Sequence, residues 1–293
     1  MAQRTILRSY ARRDLDNPAE ALPNSILFAH TGTTLTIYDA YPKSTFHFLV
    51  LPRLKAVATS QDGDKKEKEK EIVDAMGLGL KEGDLKSLKR LLRKGKEKAR
   101  KILEPMQEAA QACVKEIEEE MIRMYGFKWD IWIGFHPVPS MEHLHLHIIS
   151  ADLCSTALKN KKHYNSFHPK HGFFLDLSEV LEWLDAEQTF FEMKAQLNPA
   201  EYEPFLKEDL VCFKCHKLFK NIPKLKEHLQ EEFDALIKRE KAKQERLAKQ
   251  KRKREEKERN EREGSASTAT SVAASTPKDA EDIEAVPEKK RKG

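Results

Sequence analysis

The chain has 293 residues, of which 34% are charged and 39% hydrophobic, with a mean hydropathy of −0.69. That length accommodates one to two domains, but so high a charge content means that a sizeable part of the chain stays solvated. The net charge of +5 is concentrated in residues 86–101 and after Lys238, a placement that suits a polyanionic partner, although a solvated charged helix explains either run taken alone.

No stretch approaches the roughly 20 apolar residues of a membrane span, and the start Met1-Ala2-Gln3-Arg4-Thr5 has no apolar run of the secretory kind. No membrane partner is expected, and an intracellular setting is. The cysteines fit that setting: Cys113 and Cys154 are isolated, while Cys212 and Cys215 form a close pair better explained by metal than by a disulfide.

In chain order, a short helix is predicted over residues 7–12, then strand-like runs around Ile26-Leu27-Phe28 and Leu35-Thr36-Ile37-Tyr38. A third run, Phe46-His47-Phe48-Leu49-Val50-Leu51, follows the turn at Pro42, so the three read as an antiparallel meander. Residues 61–71 turn to Asp, Lys and Glu with no apolar period, and a charged insertion is predicted over about 61–101. A helical pattern over 84–125 carries Leu85, Leu88, Leu91, Leu92, Ile102, Met106, Ala110, Cys113, Ile117, Met121 and Met124 at three- and four-residue spacings, and Pro105 is expected to kink or divide it. After a histidine-bearing strand come a polar loop over 151–167 and an amphipathic helix near 178–193. Beyond Pro199 a compact Cys/His segment runs into a helix through Ile237, followed by a Lys/Arg/Glu run and a Ser, Thr and Ala segment at 265–277, expected as a frayed charged helix and then disorder.

His143-Leu144-His145-Leu146-His147 carries the chemistry. In an extended strand, residues two apart lie on one side, so three imidazoles face one way and the leucines supply an apolar back. Imidazole is a neutral nucleophile, an acid, a base and a metal ligand near neutral pH. A surface histidine run or a metal site is the plainer alternative.

Cys212-Phe213-Lys214-Cys215, twelve intervening residues and His228 give the spacing of a two-Cys, two-His zinc finger, with Phe219 and Leu225 as its small apolar core. A second histidine is expected about four residues on, and Glu232 stands there instead. It shares a helix face with His228 and can supply an oxygen ligand. His216 competes, but it adjoins Cys215 and would strain a tetrahedron. One structural zinc per chain is expected at Cys212, Cys215, His228 and Glu232.

Gly134-Phe135-His136-Pro137-Val138-Pro139-Ser140-Met141 leading into the alternating histidines resembles the active-site segment of the histidine-triad superfamily, and within it the aprataxin family. Asp39-Ala40-Tyr41-Pro42-Lys43-Ser44, Leu158-Lys159-Asn160-Lys161-Lys162-His163-Tyr164-Asn165-Ser166-Phe167 and the Cys/His module are similar to the same family, so the resemblance covers most of residues 4–237. The form resembled is the shorter fungal type, without a forkhead-associated domain.

The resemblance implies an α+β chain. A histidine-triad domain over 1–195, an antiparallel sheet with packed helices, is fused to a zinc finger of the Cys, Cys, His, Glu type over 196–237, and a basic low-complexity tail covers 238–293. It also implies removal of AMP from 5′-adenylated nicked or broken DNA through a covalent His–AMP species, with AMP as product and no metal needed in the chemical step.

On that pattern His145 is the nucleophile, His147 contacts phosphoryl oxygens, and His143 orients the nucleophile. His136 stabilises developing charge, and Ser140 binds the phosphate. Asp39 holds the ribose hydroxyls with Tyr41 nearby, and Leu27, Phe28 and Ile37 form an apolar slot for adenine, plain core being an equal reading of those three. Lys43, Lys159 and Lys162 neutralise DNA phosphates, and Leu7 and Tyr10 wedge against the terminal base pair, helix-to-core packing being the simpler reading of that pair. Alternatives are a hydrolase of small nucleotides or aminoacyl adenylates, and a non-catalytic nucleic-acid-binding protein. A monomer is expected, and a nuclear address is suggested by Lys289-Lys290-Arg291-Lys292 and Lys251-Arg252-Lys253-Arg254.

Overall fold

Alternating apolar residues on strands that are buried on both sides build the centre of the molecule. The computed structural model describes residues 2–17, 20–58 and 70–272. A 3-10 turn at Ala2–Thr5 leads into α1 (Ile6–Ala11), and β1 (Leu27–His30), β2 (Thr34–Tyr38) and β3 (His47–Pro52) follow as the antiparallel meander. β4 (Leu54–Ala58) and β5 (Lys70–Asp74) pair as a separate ribbon, followed by a 3-10 turn at Glu82–Leu85, α2 (Leu88–Leu92) and the long α3 (Lys96–Tyr125). Next come β6 (Ile131–Phe135), β7 (Leu146–Ser150), α4 (Lys161–Asn165), β8 (Leu175–Asp176), α5 (Leu177–Asp185), α6 (Gln188–Lys194) and α7 (Pro199–Tyr202). The short hairpin of β9 (Leu210–Val211) and β10 (Leu218–Phe219) precedes α8 (Ile222–Val272). The main sheet has the order β1-β2-β3-β7-β6-β8, with antiparallel neighbours throughout.

β3 and β7 serve two layers because successive side chains alternate across a strand. Phe48, Val50, Leu146 and Ile148 point to the rear, where α3 presents Ala99, Ile102, Leu103, Met106, Ala110, Cys113, Ile117 and Met121, all buried. Each fully buried large apolar side chain there contributes about 1.5–3 kcal/mol. His47, Leu49 and Leu51 alternate to the front, with Leu49 directly opposite His147. The long helix thus seals the rear of the sheet and leaves the front to the imidazoles.

Several predicted elements differ in detail. The pattern over 84–125 breaks at Gly95, whose φ of 92° no other residue type adopts cheaply, and not at Pro105. Pro105 lies inside α3 between the buried Leu103 and Met106. An interior proline costs about 3 kcal/mol, which the apolar face on both sides of it offsets. Met124, the last of the spaced residues, is 53% exposed.

The charged insertion over 61–101 is a correction. Residues 59–69 lie outside the described residues, but β5, α2 and the start of α3 follow, and Leu80, Leu85, Leu88, Leu91, Leu92 and Ala99 enter the core. Lysines and arginines between those leucines mask an ordinary amphipathic period. The loop at 151–167 contains α4 and buries Leu153, Leu158, Tyr164 and Phe167, and the helix near 178–193 is two helices because Ala186 is extended.

Residues Met1–Ile237 form one compact unit and Lys238–Gly293 a second. The finger segment therefore shares a unit with the sheet, and Leu210, Cys212, Leu225 and Leu229 join Ile149, Leu153 and Tyr164 in one apolar cluster. Helix continues through Val272, beyond the start of the Ser, Thr and Ala segment; residues 273–293, with Lys289-Lys290-Arg291-Lys292, lie outside the described residues. Among the described residues no helix is long and apolar enough to cross a membrane.

Candidate active site and metal centre

The row of histidines is not one uninterrupted strand. β7 begins at Leu146, and His143 has φ of 93°, so only His147 sits within the ladder. The alternation survives in the packing: Leu144 and Leu146 join the rear core, while His143, His145 and His147 are 1%, 5% and 4% exposed. His143 is turned so that its Nε2 lies 2.7 Å from the Pro52 carbonyl at the end of β3.

Hydrogen bonds with one-way partners set the ring tautomers. A carbonyl only accepts, so His145 donates Nδ1–H to the His143 carbonyl at 2.8 Å, and its Nε2 carries the free lone pair. By the same argument His143 donates through Nε2 to Pro52, and His136 through Nε2 to the Ser166 carbonyl at 3.0 Å.

His47 on β3 adds an element that the sequence reading passed over. The backbone N–H of Lys43 donates to His47 Nδ1 at 3.2 Å, so the ring proton lies on Nε2 and is given to His147 Nδ1 at 3.0 Å. His147 then carries its proton on Nε2, a buried atom with no hydrogen-bond partner. Its ring centre is 5.0 Å from that of His145 and 4.4 Å from that of His136. The front of the sheet therefore presents one unengaged lone pair and one unengaged N–H side by side. His47 was legible in principle, since His47, Leu49 and Leu51 alternate with the rear-facing Phe48 and Val50 as the triad alternates with its leucines.

Burial dominates the electrostatics. It pushes His47 and His143 down to about 4 and His136 to about 3, and it lowers His145 and, more strongly, His147. Asp39 opposes the effect at His145 and His47; its Oδ2 lies 3.6 Å from His47 Nε2. Asp39, His47 and His147 offer ligand atoms within 4.8 Å of one another, but the relay engages both nitrogens of His47.

The other predicted residues divide. Asp39 accepts from the Tyr41 backbone N–H at 2.7 Å, leaving Oδ2 toward the histidines, while the Tyr41 ring is 62% exposed. Ser140 is exposed on the loop before His143. Lys159 and Lys162 are exposed, as phosphate contacts require. Lys43 is not: it is 9% exposed, donates to the Tyr41 carbonyl, and burial lowers its pKa against the pull of Asp39.

Leu27 and Ile37 pair across β1 and β2 and face the front cluster, but Phe28 points rearward. Its ring packs on Tyr38 at 5.7 Å and Phe48 at 4.9 Å, so it cannot share a slot with its strand neighbour Leu27. That rear side holds a cavity of about 430 Å³ lined by Phe28, Tyr38, Phe48, Glu116, Ile117 and Glu120, with Asp39 and His47 also on its wall.

Leu7 is 3% exposed inside the front cluster and has no free face for a base pair, whereas Tyr10 is half-buried against that cluster. α1 is tied to the site by ion pairs from Arg8 to Glu82 at 3.1 Å and to Glu142 at 3.3 Å, and by Arg12 to Glu82. The supposed insertion thus supplies the carboxylate that braces the N-terminal helix.

The metal cluster assembles at the C-terminal hairpin. Cys212, Cys215 and His228 bring their ligand atoms within 4.8 Å of one another, and Glu232 Oε1 lies 3.7 Å from His228 Nε2. Two thiols, an imidazole and a carboxylate are donors that suit zinc. His216 points elsewhere, with Nε2 3.1 Å from Lys170 Nζ. Tyr164 of α4 locks the hairpin to the sheet by donating its hydroxyl to the Val211 carbonyl at 2.8 Å and accepting from the Phe213 N–H at 3.1 Å.

A buried array of imidazoles at the front of an antiparallel sheet, backed by one long helix, makes this a histidine-triad protein. Residues 64–163 match the scavenger mRNA decapping enzyme C-terminal binding family, and residues 170–235 match the C2HE/C2H2/C2HC zinc-binding finger family. The aprataxin-like protein of Saccharomyces cerevisiae is 31% identical over 232 residues, covering 77% of this chain and 96% of that protein. The aprataxin of Danio rerio is 32% identical over 197 residues, 67% of this chain and 46% of that protein. A solved structure of the protein Hnt3 in complex with DNA and guanosine superposes with a TM-score of 0.52 at 24% identity, covering 81% of this chain and 98% of that one. The chain belongs to the aprataxin family. It spans less than half the length of several curated relatives it matches.

The buried neutral imidazoles set the acid stability. Below the ordinary value of 6.5 the unfolded histidines protonate while His47 and His143 stay neutral to about 4. The unfolded state then binds more protons, so stability is full above about pH 6.5 and falls as the pH drops toward 4. Urea denaturation midpoints are expected to be flat from pH 8 to 7 and to decline steadily from 6.5 to 4.5; a midpoint constant across that lower window contradicts the assignment.

Proposed function

We propose that the chain is a DNA 5′-adenylate hydrolase that restores ligatable 5′-phosphate ends in strand-break repair. The observation that carries the reading is the relay that leaves the His145 Nε2 lone pair beside the His147 Nε2 proton. His145 Nε2 attacks the phosphorus of the AMP moiety, forming an N–P bond as the anhydride P–O bond breaks and the DNA 5′-phosphate departs. His147 Nε2–H meets a non-bridging oxygen, where charge develops. Water then cleaves the N–P bond, AMP leaves, and His145 returns to its neutral form. The departing phosphate is a weak base and needs little acid assistance.

His143 holds the carbonyl that orients His145, and His136, with its proton committed to Ser166, packs against His147. Asp39, whose Oδ2 faces the histidines, would accept from ribose hydroxyls, with the half-buried Leu27 as the apolar ground for adenine, backed by the buried Ile37, and Ser140 at the phosphate. Lys159 and Lys162 carry the DNA strand, and Tyr10 is the ring at the terminal base pair. Membership of a family that includes aprataxins, the exposed lysines and the finger support DNA over a free nucleotide, which needs neither of the latter two. The enzyme acts as a monomer in the nucleus on this reading.

The decisive comparison is a 5′-adenylated nick against free diadenosine polyphosphate, for the wild type and His145→Ala. Release of AMP from the nick is expected, with a loss of at least about 10³-fold in the variant. Cleavage of the dinucleotide alone makes the protein a small-nucleotide hydrolase, and cleavage of neither leaves it a binding protein.

Zinc at Cys212, Cys215, His228 and Glu232 would cross-link the hairpin to α8 and stabilise the finger without entering the reaction. Native mass spectrometry is expected to show one zinc per chain, and Glu232→Ala is expected to lower zinc affinity at least about 10-fold. Full affinity in that variant removes Glu232 from the ligand set, and a zinc-free wild type removes the site.

A further inference from the structure

Residues 238–254 hold ten lysines and arginines against two glutamates, a local net charge of +8 in a chain whose total is only +5. The rest of the chain is therefore net negative, an unusual balance for a protein whose substrate is a polyanion. The segment is helical within α8, and its side chains are solvent-exposed almost throughout. Helical geometry sorts its charges. At about 100° per residue, Arg239, Lys243, Arg246, Lys249, Lys253 and Arg254 fall within one arc of about 140°, and every carboxylate between 238 and 260 falls outside it.

We propose that this stripe is a second DNA-binding surface, one that takes the phosphate backbone of duplex DNA without reading sequence. It rests on the reading of DNA as substrate, and adds to it a surface made of residues other than those of the histidine site. The stripe from Arg239 to Arg254 is about 22 Å long, the rise of six to seven base pairs, and duplex DNA offers one phosphate charge per about 1.7 Å of axis.

The ion pairs along the helix do not compete seriously. Arg239 and Lys243 to Glu240 at 3.6 and 3.4 Å and Arg254 to Glu258 at 2.9 Å leave the cations 73%, 59% and 83% exposed, and such pairs are weak in water. A membrane surface is disfavoured as the occupant because Leu247, Ala242 and Ala248 are the only apolar residues between 238 and 260 and give no face to insert. The surface serves to raise the local concentration of broken duplex around the enzyme and leaves the chemical step untouched.

Two full-length variants with the same net charge separate a face from bulk charge. One carries Lys243→Gln, Arg246→Gln, Lys249→Gln and Lys253→Gln on the stripe. The other carries Lys238→Gln, Lys241→Gln, Lys251→Gln and Arg252→Gln outside it. Binding of an unadenylated nicked duplex is followed by fluorescence anisotropy from 50 to 200 mM salt, with circular dichroism to establish equal helicity.

The stripe variant is expected to bind about 10-fold or more weakly at 100 mM salt and to flatten the log–log salt slope by about 3 to 4, while the other variant shifts affinity less than about 3-fold. Equal losses in the two variants, or no loss in either, overturn the proposal. Loss of binding to anionic phospholipid vesicles with duplex binding intact overturns it in favour of a membrane. Because the assay reads binding of an unreactive duplex, a wild type that fails to release AMP would sink the enzyme reading and leave this result interpretable.

Discussion

The hydrogen bond between His47 and His147 is the contact on which the site depends. It joins β3 to β7 at the front of the sheet, and its direction is set by a backbone N–H that can only donate. If that ring were turned, His147 would present a lone pair in place of its N–H, and two lone pairs would stand side by side where the proposed reaction places one of each. The fold therefore supplies protonation states as well as positions. Burial makes these states durable, because the desolvation cost of charging His47, His143 or His145 exceeds what the carboxylates of Asp39 and Glu82 give back.

The rear of the sheet makes such a front possible. A row of imidazoles at 1–5% exposure contributes little favourable packing by itself, and β7 is held in place by Leu144, Leu146 and Ile148 under the buried stripe of α3. The same alternation that aims the leucines rearward aims the histidines forward. Ser166 and Phe167, directly after α4, pack on His136 and His147, and Tyr164 of α4 bonds to the backbone on either side of Cys212. Cysteine hairpin and histidine sheet are consequently one structural unit, and a disturbance of the finger reaches α4, which carries Lys162, and the turn before it, which carries Lys159. The N-terminal helix is tied more loosely, through ion pairs of partly exposed side chains that contribute at most about 1 kcal/mol each.

The meander, the long helix, the alternation around the histidines and the Cys/His spacing were legible because each rests on a short period that local geometry enforces. Features that depend on distant partners were not. Nothing near Lys43 in the sequence shows that its side chain is buried beside Asp39, whereas for Leu7 the simpler of the two readings, helix-to-core packing, is the one its burial matches. That Phe28 parts from Leu27 and packs on Phe48, in the wall of the cavity that Asp39 and His47 also line, was not legible, because a run of apolar residues at a strand edge does not reveal which of them faces front. Pro105 suggested a break, yet the apolar face of α3 carries through it, while Gly95 makes the break with a backbone angle that composition does not show. The core residues of the presumed insertion were hidden by the charges between them, and the same charge pattern, sorted by helix face, is what gives the segment after Lys238 its meaning.

The proposed reaction turns on one atom, Nε2 of His145, as its nucleophile. Rapid acid-free quenching of the protein with a 5′-adenylated nick, followed by proteolysis and peptide mass spectrometry, tests it directly. The account predicts an adenylyl group on the peptide that contains His143, His145 and His147, with fragment ions placing it on His145. An adduct on His47, His136 or His147, or single-turnover hydrolysis at full rate with no adduct at any time, would contradict it.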